Sequence, residues 1–205
     1  MVAFSWLWIP ITVFAAFVQN IRSAAQKHLT SELNTISVTM VRFLFGLPFG
    51  LLYLWFLNTR RTETFPDIGW NFIAYTATAG AGQIIATALL VYLFSLRNFA
   101  VGTAYARTEA FLTAIVGALF FGEAIVMYGW GAILISVSGV ILITVAKTGI
   151  RGGQLLTLLA DKSAWIGIVC GLFFAIASLT MRKATLMLGM EDFLFRAALT
   201  MIFML

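Results

Sequence analysis

Long apolar runs separated by short charged stretches organise this chain. Phe4–Ile21 carries no charge and ends at Arg22. Arg22–Thr35 is polar, Ile36–Leu57 is apolar except for Arg42, and NTRRTETFPD (58–67) has the composition of a loop. No charge follows until Arg97, and Ala124–Ala146 is free of charge for 23 residues. Membrane-spanning helices are predicted at about 4–21, 36–57, 70–95, 102–121 and 124–146. A connector at 148–162 leads to further spans at 163–181 and 193–205. A helix rises 1.5 Å per residue, so runs of about 20 residues cross about 30 Å of hydrocarbon. The short alternating segments of a barrel are missing, and backbone groups in lipid must be satisfied within each segment, so the spans read as helices.

Composition supports this pattern. The chain is 61% hydrophobic and 10% charged, whereas soluble domains carry about 25% charged residues. So few charges cannot cover a water-facing surface, which makes the chain an all-α polytopic membrane bundle in contact with the lipid bilayer. The N-terminus lacks a basic stretch and a small-residue cleavage pattern, so its apolar run reads as a retained first span.

Charge and motif content exclude several functions. The net charge is +5, yet the lysines and arginines are scattered between spans without interleaved aromatics, and no nucleic-acid partner is expected. Glycine-rich phosphate loops are missing, which argues against a built-in ATPase. Cys170 is the single cysteine and His28 the single histidine. Disulfides and clustered thiolate or imidazole metal sites are therefore excluded within one chain, and no cofactor is expected.

The chain also echoes itself. AAFVQNIRSA (15–24) aligns with AIASLTMRKA (175–184), pairing Arg22 with Arg182, and each is followed by an arginine inside an apolar run, Arg42 and Arg196. Span one thus resembles span six, and span two resembles span seven. A five-helix unit covering 1–147 would then repeat from 163 onward. Five is odd, so the second copy crosses the membrane in the opposite sense, an arrangement common in transporters. The last run, TMIFML, stops short of the about 20 residues a crossing needs. It is either a short re-entrant piece or, on the preferred reading, the beginning of a helix in a longer protein whose reading frame continues past Leu205 with three more apolar spans.

Five features together resemble the EamA-type domains of the drug/metabolite transporter superfamily: the five-helix repeat, Arg42 early in the second helix, a small-residue-rich fourth helix, the Gly122-Glu123 pair, and the glycine-rich GWGAILISVSGVILIT. The resemblance implies a ten-helix secondary transporter moving a small-molecule substrate by alternating access. It also implies export or exchange, coupling to protons or another solute, a cytoplasmic N-terminus and a bacterial inner membrane. On that orientation the positive-inside bias is missing or slightly reversed. A membrane-embedded enzyme would need paired carboxylates or nucleophile–base sets at membrane depth. A non-transporting scaffold would lack a cavity beside Glu109.

Glu109 is the first candidate for the chemistry. A carboxylate at the centre of a span costs about 2.5–3.5 kcal/mol on insertion scales and usually faces a cavity or a partner. If the fourth helix starts at Gly102, Glu109 lies about 10 Å inside it. Tyr105 and Thr113 then share its face, beside a ridge of small residues at Gly102, Ala106, Ala110, Ala114, Ala118 and Gly122, which is expected to pack against a neighbouring helix. Glu109 can take a cationic substrate group or exchange a proton. Alternatively it locks two helices by pairing with Arg42, or it caps a helix that starts later. Arg42 offers a fixed charge to an anionic group, or snorkels to the surface. Gly46 and Gly50 read as a close-packing pair, with Pro48 opening the backbone between them.

Gln19, Asn20 and Gln83, with Thr76 and Thr78, place uncharged polar groups at membrane depth. Each serves either as an interhelical hydrogen bond or as a ligand contact. The tryptophans at 6, 8, 55, 70, 130 and 165 fall near span ends and read as interface anchors. His28 reads as a solvated loop residue, Cys170 as small packing, and Glu123 as a cap on the fifth helix.

Overall fold

A computed structural model describes residues 6–61, 64–96, 108–122, 127–148 and 162–205. These residues form seven helices and no strand: α1 (Trp8–Leu29), α2 (Thr35–Asn58), α3 (Trp70–Leu96), α4 (Glu109–Phe121), α5 (Met127–Thr148), α6 (Lys162–Met187) and α7 (Phe193–Met204). The all-helical bundle read from the hydropathy pattern is what forms. Three of its helices, α2, α3 and α6, are each long and apolar enough to cross a membrane.

The boundaries follow local chemistry. Asn34 caps α2 by accepting a hydrogen bond from the Ser37 amide at 2.8 Å, and Asp192 caps α7 through the amides of Leu194 and Phe195. Such caps satisfy amides that have no partner inside the helix. Gly122 closes α4 at φ +65°, in the left-handed region that a side chain disfavours. Pro48 lies inside α2, which continues through it.

Two helices outrun the sequence expectation. α1 does not stop at Ile21 but continues through Arg22, Lys27 and His28 to Leu29. Polar residues are no barrier to a helix whose polar side chains share one face, and Gln19, Arg22, Ser23 and Gln26 recur at intervals of three and four. The segment read as a polar link is therefore the last two turns of α1, and His28 sits exposed in that final turn. α6 likewise runs past 181 to Met187.

The core is an antiparallel pair of helices, α3 and α6. Buried Phe72 at the start of α3 clusters with Ala184 near the end of α6 and Leu188 just beyond it, while Leu93 meets Ala164 at the opposite end. Between them, the Cys170 thiol donates to the Ala86 carbonyl at 3.2 Å, in line with its reading as small packing. Small residues make this approach possible. A Cβ added at Gly82 would come within 3.3 Å of the Phe173 carbonyl oxygen of α6. Ser163, Gly167, Gly171 and Ala175, every fourth residue of α6, are all buried. That is the small-residue ridge of closely packed membrane helices, and it lies on α6.

α7 packs across α2 and α3. Gly50 of α2 is buried where a Cβ would meet Ile202 Cδ1 at 2.7 Å, and a Cβ on Gly46 would reach Leu205 only at 4.0 Å. Gly80 of α3 is tighter, because a Cβ there would lie 2.5 Å from the Met204 carbonyl oxygen. The rings of Phe72 and Phe203 meet edge-to-face at 5.3 Å, and Phe65 and Phe195 do the same at 6.0 Å. The side chains of Trp6, Trp55, Trp70, Trp130 and Trp165 are exposed near helix ends, as expected of interface anchors.

Gly80→Val forces a side chain against backbone, which cannot rotate away. A destabilisation of about 1–3 kcal/mol is expected, the usual range for overpacking. Gly131→Ala, where a Cβ meets nothing within 4 Å, is the control and is expected to leave thermal unfolding in detergent unchanged.

Candidate functional site

The polar side chains inside the bundle are held by three separate local devices. The first is the polar face of α1. Ser23 Oγ donates to the Gln19 carbonyl at 3.0 Å, and Ser23 and Gln26 are both buried. At the end of this face the Lys27 ammonium donates to the Phe94 carbonyl, tying α1 to α3. The second is the early part of α2, where Arg42 Nη1 donates to Thr87 Oγ1 of α3 at 2.5 Å and the guanidinium lies 5.3 Å from the Phe43 ring centroid. Thr87 is fully buried. The third is the start of α4. Gly171 of α6 lets that backbone come so close that a Cβ there would sit 2.6 Å from Thr108 Oγ1 and 3.0 Å from the Glu109 amide nitrogen. Glu109 is thereby fixed against α6 at half-burial.

These devices converge on one cavity of about 230 Å³, to which α1, α2, α3, α4, α6 and α7 all contribute. Its polar wall contains Gln19, Arg22, Ser23, Arg42, Gln83, Glu109 and Ser178; Leu90, Phe94, Phe174 and Ala177 supply apolar surface. A second opening of about 510 Å³ shares Gln19, Arg22 and Arg42 and is otherwise lined by Phe14, Ala15 and Val18.

Of the residues singled out from sequence, Gln19, Arg42, Gln83 and Glu109 meet at this cavity. Asn20 lies outside its wall and returns its side-chain amide to the Ala16 carbonyl at 3.0 Å. Thr76 and Thr78 hydrogen-bond carbonyls of their own helix, Phe72 and Ala74, so both are intrahelical. Thr113 is half-buried on α4, away from the cavity. Tyr105, Ala106, Gly102 and Glu123 lie outside the described residues. Within the expected ridge on α4, Ala110 and Ala118 are exposed, Ala114 is half-buried, and a Cβ on Gly122 would meet nothing within 4 Å. Gly117 is the buried small residue of that helix. Spacing alone could not tell a packing ridge on α4 from the one that forms on α6.

Four residues of the site escaped the sequence reading: Arg22, Ser23, Thr87 and Ser178. On polarity alone Arg22 and Ser23 fall in a link after a short first span. Their signal was the spacing from Gln19, which puts all three on one helical face.

Membrane-length helices around a cavity walled by an acidic, two basic and several amide and hydroxyl side chains define a polytopic membrane protein with an internal polar site. Residues 6–145, from α1 into α5, match the EamA-like transporter family. The chain belongs to that family and is an integral membrane protein. No curated protein and no solved structure matches it.

Thr87 should matter through Arg42. Thr87→Val removes the buried acceptor, and a loss of about 1–3 kcal/mol is expected from leaving a charged donor short of its partner. Combined with Arg42→Met, the loss should be smaller than the sum of the two single changes, as measured by a double-mutant cycle on thermal unfolding.

Proposed function

We propose that the protein is a secondary active transporter that exports or exchanges a small metabolite or drug by alternating access, multi-pass in the bacterial inner membrane. One observation carries this reading. Gln19, Arg42, Gln83 and Glu109 stand on four different helices, yet all line a single cavity. Ionisable groups at membrane depth are costly and are retained where they face a solute pathway. A cavity shared by several helices can also open to alternate sides as those helices rock. Membership of a transporter family supports the same reading.

In this mechanism Arg42, held by Thr87, presents a fixed positive charge to an acidic group of the substrate. Glu109 takes a cationic group or a proton and releases it when the cavity opens to the other side. Gln19 and Gln83 orient the solute through amide hydrogen bonds. Pro48 and Gly50, close to the α7 crossing, give α2 a place to bend. An ion or solute gradient supplies the energy.

Proteoliposome flux with a metabolite panel tests the proposal. Arg42→Ala and Glu109→Gln are each expected to lower the initial rate by about tenfold to a hundredfold, the effect of losing one charge-assisted contact. Full activity with unchanged pH dependence in Glu109→Gln would remove the carboxylate from the transport cycle.

A further inference from the structure

The cavity wall carries an excess of positive charge. Arg22 and Arg42 contribute two positive charges and Glu109 one negative, which leaves a formal charge of +1 among the described lining residues. Both arginines also line the second opening, so each contributes to both spaces. A guanidinium has five N–H donors, and Thr87 occupies one of those on Arg42. No described acidic side chain is hydrogen-bonded to Arg22. Two like charges on the wall of one cavity repel each other, and Glu109 offsets only one of them. Paired guanidiniums match the oxygens of a carboxylate or phosphate with several parallel hydrogen bonds.

We propose that Arg22 and Arg42 together form an anion-binding subsite, and that the transported solute is a small organic anion bearing a carboxylate or phosphate rather than a cationic or neutral compound. This rests on the transport reading and narrows it. Arg22 comes from α1 and Arg42 from α2, so the anion bridges two helices. The cavity, at about 230 Å³, has the space of about eight water molecules, which fits a compact solute. The acidic group can belong to a water-soluble metabolite or to a phospholipid headgroup entering beside Phe14 and Val18, whose side chains are exposed on the same helix.

The test is binding and flux with the full protein reconstituted in phosphatidylcholine vesicles. Size-matched carboxylates, phosphates, amines and neutral polyols are titrated by tryptophan fluorescence, and the titration is repeated in vesicles containing anionic phospholipid. Acids alone are expected to bind in neutral vesicles, with Arg22→Gln raising the Kd by about tenfold to a hundredfold. Arg22→Lys, which keeps the charge, should recover part of that loss; the unliganded melting temperature should match wild type in Arg22→Lys and should not fall in Arg22→Gln, where the repulsion is relieved. Weaker binding of soluble acids in anionic vesicles would identify lipid as a competing source of the same group and would support the subsite. Amine binding as tight as acid binding, or wild-type acid affinity in Arg22→Gln, would overturn it. Cation flux insensitive to Arg22→Gln would overturn the subsite and leave the transport reading standing. Arginine-dependent acid binding without any flux would support the subsite and defeat that reading.

Discussion

The close antiparallel contact between α3 and α6 is the constraint on which the remaining structure depends. Lipid offers apolar side chains nearly the environment that another helix would, so burial alone does not drive two membrane helices together. Backbone approach across small residues supplies the dispersion contacts instead. Gly82, Ala86 and Cys170 lie on this seam. It aligns α3 so that Gln83 lines the cavity while Thr87 meets Arg42, and Gly171 of α6 faces the start of α4, where Glu109 is pinned. A larger side chain on either helix would move a polar group of the cavity as well as a packing contact.

Electrostatics then explains why those polar groups are arranged as they are. A guanidinium within a span is tolerable when its donors find acceptors, and Thr87 gives Arg42 one from a neighbouring helix. A threonine hydroxyl neutralises nothing, so the charge stays available to a solute. Had Arg42 been closed off by a fully buried carboxylate, it would have served packing alone. The same consideration applies to α1, where the polar face containing Gln19, Arg22 and Ser23 turns to the cavity while Phe14 and Phe17 remain exposed on its apolar sides.

How much of this was legible beforehand depended on the range of the signal. Apolar run length is a local property, and each of the seven described helices overlaps a run predicted from it, because hydrocarbon thickness sets the number of residues needed to cross. Helix ends were less legible. The break at Arg22 reflects polarity, whereas a helix ends where its hydrogen bonding ends, and α1 keeps its hydrogen bonds to Leu29. Glu109, Arg42, Gln19 and Gln83 stood out because polar groups are rare at membrane depth. Asn20 stood out equally and turned back to its own helix. The ridge on α4 shows the same difficulty, since small residues at fourfold spacing create a potential seam without naming its partner.

The sequence by itself determined that this protein is a helical membrane bundle and which polar residues would have to be accommodated within it. Those are consequences of chain-local hydropathy and of the cost of placing charge in hydrocarbon. Tertiary structure decided which small-residue ridge became a seam, which of the polar groups share one cavity, and that Arg22 stands beside Arg42 in its wall. These outcomes depend on the rotation of each helix about its axis and on the partner it meets, and both are settled by contacts between segments far apart in the chain.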